Sequence, residues 1–359
     1  MANQRPNNVL EILRRFAPGT VLRDAVELVI RQGTGALVVI GSGSAVDHLC
    51  SGGFMLDGAR FTAPRLAELA KMDGGIVVDD DIEMILRANV HFLPNPSIST
   101  SETGTRHRTA ERMSRETGKP VLSVSDDRAM ALVYFDGRRY QLQSPATLLA
   151  EANQILNSLE RLRRRLDAAE NRLTRLEVDD VVVVRDVILL LQRSELVRRL
   201  GAELNRLAVE LGGEAQLMRL QVADLLEGVD RLTTLVYADY AKRRPRRDTM
   251  VLERLGSMDG EHLYDSGVVA EALGLGELHE PVKARGVRAL ARVPRLPEPV
   301  RTALLKRYRT FQSLLRVTTT EFESVEGIGR ARAEQLRSYL DRLGEIGTAL
   351  EIGDSAAGS

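Results

Sequence analysis

Between Glu102 and Met113 the chain reads ETGTRHRTAERM, which sets Arg106, His107 and Arg108 between Thr105 and Thr109, just after a glycine. Two guanidiniums, an imidazole and two hydroxyls form a dense set of donors, and the carboxylates nearest in sequence are Glu102 and Glu111. Arginine forks match phosphate oxygens two at a time, and the amides opening the helical stretch RTAERMSRETG add the positive end of a dipole. A polyphosphate fits this block; a solvated basic helix start is the bland alternative. Chemistry on phosphate also needs an acidic group to hold a metal or activate a hydroxyl, and two Asp-Gly pairs compete for that role. Asp57-Gly58 lies between an apolar stretch and RFTAP, where a plain turn accounts for it. Asp73-Gly74 lies between a helical pattern and a buried strand, a junction where α/β domains commonly place ligands, and Asp73 is the choice. No G-x-x-x-x-G-K-[ST] is present, which excludes a P-loop, and GSGS after ALVVI lacks the third glycine of a dinucleotide fingerprint.

These residues need a scaffold, and residues 1–143 supply an α/β pattern with a mixed sheet. VLRDAVELVIRQG and PRLAELAKM have helical spacing. GALVVIG, GGIVVD and PVLSVS are short apolar runs, as in buried strands, and AMALVYFDGRRYQL is a hairpin turning at Asp136-Gly137. Residues 144–282 are nearly all helical. Leu148, Ala152, Ile155, Leu159, Leu162, Leu166, Ala169, Leu173 and Leu176 keep a four-three spacing, with Arg and Glu on the other faces. That seam serves a coiled coil between chains or a bundle within one equally well. Further helices run through ELVRRLGAELNRLAVELG and LQVADLLEGVDRLTTLVYADYA before KRRPRRD breaks the pattern, and residues 348–359 read as a flexible tail.

Residues 283–347 are short helices separated by tight turns, with 14 Lys/Arg against 7 Asp/Glu through Gly347. Such an excess favours a polyanion. Within FESVEGIGRARAEQLRSYL, Gly327-Ile328-Gly329 lets the backbone approach a ligand and leaves the next helix's amides free for a phosphate, with Arg330 and Arg332 beside them. This resembles the helix-hairpin-helix motif of proteins that bind nucleic acid through its backbone. An earlier copy carries Arg295-Leu296-Pro297 at the equivalent place, and proline has no amide hydrogen to donate. That copy reads as a structural partner.

The chain has 359 residues, enough for two or three domains, with 43% apolar and 28% charged residues and 50 basic against 50 acidic side chains. No apolar run approaches the roughly 20 residues of a spanning helix, and the first residues lack a secretory pattern. One cysteine, Cys50, allows no internal disulfide, consistent with a reducing cytoplasm, and five scattered histidines build no structural zinc site.

Taken together, GALVVIG, KMDGGIVVD, FLPNPSISTSETGTRHRTAERMSRETG and PVLSVS resemble the diadenylate cyclase domain. With a helical spine and a terminal hairpin motif, the whole chain resembles the DNA-responsive members of that family. The resemblance implies condensation of two ATP into cyclic di-AMP with loss of two pyrophosphates, each 3′-hydroxyl attacking the other α-phosphorus across two facing domains. It implies Asp73 as ligand of Mg²⁺ or Mn²⁺ or as aid to deprotonation, and Gly74 and Gly75 as points of close nucleotide approach. It implies Thr105, Arg106, His107, Arg108 and Thr109 as phosphate binders, with Leu93 and Ser125 near the base and nucleotide. It further implies a cytoplasmic octamer with face-to-face cyclase domains, and branched DNA bound through its backbone at Gly327, Ile328, Gly329, Arg330 and Arg332. The family usually reads Asp-Gly-Ala where this chain has Asp73-Gly74-Gly75, and the lost methyl is expected to loosen the loop. That departure sustains a second reading, a structural DNA-binding protein that holds ATP without turnover. A nuclease or ligase accessory ranks last, because no clustered carboxylate pair would hold two metals.

Overall fold

The computed structural model describes residues 11–126, 130–242, 247 and 249–348. Asp127, most of KRRPRRD and the expected tail from residue 349 lie outside them. The chain divides into two compact units, Met1–Gln154 with Leu204–Leu220, and Ile155–Glu203 with Gln221–Ser359.

The first unit is built on an eight-stranded mixed sheet: β1 (Ala36–Ile40), β2 (Cys50–Ser51), β3 (Phe54–Met55), β4 (Gly75–Val78), β5 (Ile85–Phe92), β6 (Val121–Ser125), β7 (Met130–Phe135) and β8 (Arg138–Leu142). The order is β2-β5-β4-β1-β6-β7-β8, with β3 also on β5; β1 and β4 run parallel and the other pairs antiparallel. Alternate residues of each strand go to opposite faces. Val38, Ile40, Ile76, Val78, Leu122 and Val124 pack under α1 (Val21–Arg31) and α2 (Ala63–Leu69). Val39, Val77, Val90, Phe92 and Val121 pack under Ala110 and Met113 of α3 (Thr105–Thr117). Thr20 and Thr62 cap α1 and α2 by accepting from the amides of Arg23 and Arg65. The expected hairpin is present, with positive φ at both Asp136 (51°) and Gly137 (70°), as a two-residue turn of this hand requires.

Strand β5 is absent from the sequence-based reading. Its alternation is broken: Asn89 has a φ of 56°, and the β4–β5 register shifts between Gly75 and Val78. The distortion presses β5 onto the loop before β4. A Cβ at Gly74 would lie 2.5 Å from the carbonyl carbon of Asn89. At Gly75 a Cβ would fall inside the Phe92 ring, which is 8% exposed. The expected loosening at Gly75 is therefore corrected: the Phe92 ring takes the space of the missing methyl.

Helices α4 (Pro145–Val178) and α5 (Val184–Leu211) contribute to both units. Leu148 and Ala152 in the first unit, and Leu159, Leu166, Ala169 and Leu173 in the second, are buried within the single chain, while Ile155, Leu162 and Leu176 are half-buried. Packing inside the chain thus accounts for the heptad spacing.

In the second unit a buried polar network ties α4 to the start of the hairpin region. The Arg288 guanidinium, 4% exposed, donates to Glu170 (3.0 Å), Thr174 (3.0 Å) and Glu177 (2.5 Å), and the Tyr240 hydroxyl donates to Glu177 (2.6 Å). The Asp239 carboxylate accepts from the amides of Val287 (2.6 Å) and Arg288 (2.9 Å). Burial, and then the charge of Glu177, push Asp239 up to about 7.

Two substitutions test this packing by thermal unfolding. Gly75→Ala overpacks the Phe92 contact and costs about 1–3 kcal/mol, and adding Phe92→Leu recovers most of it; a Gly75→Ala variant as stable as the parent contradicts the contact. Arg288→Met leaves Glu177 buried without its cation, while Arg292 still pairs with Glu170, and costs about 3–5 kcal/mol, so an unchanged melting temperature would show the network to be energetically idle.

Candidate functional site

Four adjacent strands bring the expected residues to one end of the sheet. Register pairs Val38 with Ile76 in the parallel strands, so Gly35 and Asp73, which precede β1 and β4, lie at the same end of the sheet. Because β6 runs antiparallel to β1, with Ala36 opposite Val124, Ser125 arrives at the same end. Strand β5 runs antiparallel to β4, with Gly75 opposite Val90, so Leu93 arrives there too. Ligands in open α/β sheets usually sit beyond the carboxyl ends of the parallel strands. Asp73 instead precedes β4. The reason is topological: α3 follows β5, whose carboxyl end points to this edge, so the helix N-terminus comes here.

That N-terminus is left open. Gly104 is its cap residue and makes no side-chain capping bond, and the first turn holds no acidic residue. Arg108 supplies the first amide bonded back, to the Gly104 carbonyl (2.9 Å), so the amides of Thr105, Arg106 and His107 have no intrahelical acceptor. Glu102 and Glu111 are committed elsewhere. Glu102 pairs with Arg139 at 3.0 Å. Glu111, 7% exposed, takes Arg115 at 2.6 Å, the Ser101 amide at 3.2 Å and the Thr100 hydroxyl. Arg112 and Arg115 also donate to the carbonyls of Ile98 (2.9 Å) and Ser99 (2.5 Å). The outer face of α3 therefore straps down its own leading segment and leaves the first turn positive.

The five residues of the block have different surroundings. Arg108 is exposed, and its guanidinium has no hydrogen bond or ion pair among the described residues. Thr105 is exposed, and the Thr109 hydroxyl donates to the Thr105 carbonyl at 2.9 Å. Arg106 lies back over Gly35, where any Cβ would collide with its guanidinium, and reaches the Val124 carbonyl and Asp126 at 3.4 Å each. His107 Nδ1 shares a 3.0 Å hydrogen bond with the hydroxyl of Ser123, which is 0% exposed. The inward residues Gly35 and Ser123 were not picked out from sequence; both occupy the α3-facing positions of their strands, and alternation was the signal that could have found them.

Asp73 is exposed and its carboxylate has no partner among the described residues. No cluster of three or more His, Cys, Asp or Glu able to hold a metal occurs among them. One free carboxylate suits a Mg²⁺-like ion that takes its other oxygens from nucleotide phosphates and water. Asp57 lies in a turn, with Gly58 at a φ of 71°.

The hairpin region in the second unit repeats one backbone path. Arg295 and Gly327 both have positive φ, 55° and 82°, and Val293 and Leu296 are buried as Val325 and Ile328 are. The second copy opens into the helix Arg330–Thr348 after Gly329, and Arg332 donates to the Gly327 carbonyl. The first opens into Glu298–Arg307 through Pro297, Glu298 and Pro299, which removes two amides and adds a carboxylate. Only the second copy keeps the donors a phosphate needs.

Residues 23–139 match the family model described as DisA bacterial checkpoint controller nucleotide-binding, and residues 142–281 match the one for the DisA bacterial checkpoint controller linker region. The chain is 44% identical to the DNA integrity scanning protein DisA of Acidothermus cellulolyticus, over 96% of this chain and 97% of that one. It is likewise 44% identical to the protein of the same name in Streptomyces coelicolor, over 93% and 91%. A crystal structure of DacA from Staphylococcus aureus is similar at 22% identity and a TM-score of 0.31, covering 38% of this chain and 90% of that one. From this likeness along nearly its whole length, the chain belongs to the DisA family of diadenylate cyclases, which are nucleotidyltransferases.

Proposed function

We propose that each cyclase domain holds one ATP with its polyphosphate at the start of α3, and that two copies face each other to form cyclic di-AMP and two pyrophosphates. The observation that carries this reading is the uncapped start of α3, with no acidic residue in its first turn, at the same end of the sheet as Asp73. The amides of Thr105 to His107 and the side chains of Arg108 and Thr105 bind phosphate oxygens and gain strength as charge builds on the departing pyrophosphate. Ser123 orients the His107 ring, and Gly35 gives Arg106 room to swing between the sheet and the nucleotide. Asp73 holds the divalent ion, Mg²⁺ or Mn²⁺, which when bound polarises the α-phosphoryl group and neutralises the leaving group. Gly74 and Gly75, packed against Asn89 and Phe92, bring the backbone beside Asp73 close to the nucleotide, Ser125 flanks the nucleotide at the end of β6, and Leu93, 63% exposed, lies against the base. Each 3′-hydroxyl must be in line with the other nucleotide's α-phosphorus, so one domain alone offers half of the reacting pair.

The further reading is a DNA-responsive, cytoplasmic assembly, an octamer in the family pattern, whose second hairpin holds a backbone phosphate of branched DNA at Gly327, Ile328 and Gly329 with Arg330 and Arg332. No helix among the described residues is long and apolar enough to cross a membrane. Binding of ATP without turnover was motivated by Gly75, and the Phe92 ring in that space removes its ground.

Incubation with ATP and Mg²⁺ or Mn²⁺, resolved by mass after chromatography, tests the reading. The parent chain and Asp57→Asn yield cyclic di-AMP, whereas Asp73→Asn falls by about 100-fold or more. Equal product from Asp73→Asn would remove Asp73 from the mechanism, and bound ATP without product from the parent would remove turnover.

A further inference from the structure

Helix α4 carries a face that neither the cyclase site nor the hairpins use. At 100° per residue, Arg161, Arg164, Arg165, Arg172 and Arg175 fall within an arc of about 100°, and of the residues between Arg161 and Arg175 only Ala168 lies among them. The sequence places Arg and Glu on the faces away from the seam, and around the helix axis the two segregate. Asp167 pairs with Arg163 at 3.0 Å, Glu170 and Glu177 are spent on Arg288, and Glu160 stands at the margin of the face. The neighbouring helix α5 adds Arg193, which donates to the Arg165 carbonyl at 2.9 Å. Its one carboxylate contact is a 3.4 Å approach of Asp186 to Arg172, whose side chain stays 63% exposed. Arg161, Arg164 and Arg165 are exposed as well, and Arg161 donates only to the Ser158 hydroxyl among the described residues. Burial, and then the charges of Arg165 and Arg172, lower Arg193 from its usual range.

Like charges three and four residues apart destabilise a helix, and among the described residues only Asp186, at 3.4 Å from Arg172, offsets them here. The face runs for about 21 Å at 1.5 Å per residue, too long for a single nucleotide. It has no apolar anchor for a lipid surface. Planar guanidiniums in a row match successive phosphates.

We propose that this arginine face of α4, extended by Arg193, is a second nucleic-acid contact surface, binding the backbone of a duplex without reading its sequence. It shares the class of ligand with the hairpin reading but does not depend on the hairpins. Fluorescence anisotropy of a labelled duplex on the full chain tests it, between about 50 and about 200 mM salt. Three variants are compared with the parent: Arg164→Gln/Arg165→Gln/Arg172→Gln, Arg330→Gln/Arg332→Gln, and both sets together. Circular dichroism and light scattering establish that fold and assembly are kept. The face variant is expected to lose at least about 10-fold in affinity and to flatten the log–log salt slope by about 2 to 3, at 0.9 per phosphate contact. The hairpin variant keeps residual binding that the combined variant loses. If the face variant matches the parent while the hairpin variant abolishes binding, this inference falls and the hairpin reading stands. If the hairpin variant is silent and the face variant abolishes binding, the inference stands and the hairpin reading falls. No duplex binding by the parent overturns both, and a face variant that changes only the size of the assembly assigns the face to protein contact and overturns this proposal.

Discussion

Helix α3 opens with no side-chain cap, no acidic residue in its first turn and, in Arg108, a guanidinium unpaired among the described residues, and that unmet demand for negative charge organises the cyclase domain around it. A helix start in this state is stable only where a capping side chain, water or an anion meets it. Here the cap is Gly104. The two carboxylates nearest in sequence are turned away, Glu102 to Arg139 and Glu111 to the segment ahead of the helix. The sheet does the positioning from below. Ser123 sets the His107 ring, Gly35 lets Arg106 lie flat, and the parallel β1–β4 pair brings the loop of Asp73 to the same end of the sheet. In the proposed function the first turn of α3 and Asp73 serve one metal-bound triphosphate.

Much of this arrangement was legible in the chain itself. Buried strands announced themselves as apolar runs between glycines, the β7–β8 turn as Asp136-Gly137, and the start of α3 as a glycine followed by a block of donors. What remained hidden depended on contacts between distant residues. Strand β5 has Asn89 at positive φ and a shifted register, so its two-residue alternation fails where it matters. The meaning of Gly75 followed from Phe92, 17 positions on in sequence but adjacent across β4 and β5. Likewise the heptad seam of α4 was ambiguous between one chain and two until burial within a single chain accounted for it. The arginine face of the same helix was obscured because Asp167 and Glu170 stand among its arginines in sequence and separate from them only around the helix axis.

The two hairpins show how little separates a phosphate site from a structural turn. Both follow the same path and both bury the same two apolar anchors. Arg295 holds the left-handed conformation that Gly327 takes without strain, so the fold tolerates the less favourable residue there. What differs is donor capacity: prolines 297 and 299 delete amides and Glu298 adds a negative charge. In the proposed function the second copy engages the ligand and the first supplies its scaffold.

A crystal structure of the chain with 3′-deoxy-ATP and Mg²⁺ tests the account most directly, because a nucleotide without its attacking hydroxyl stops before cyclisation. The account predicts triphosphate oxygens on the amides of Thr105 to His107 and on Arg108, with Asp73 ligating the ion and a second copy presenting its own nucleotide opposite. Triphosphate bound away from the start of α3, or an ion that does not touch Asp73, would contradict it.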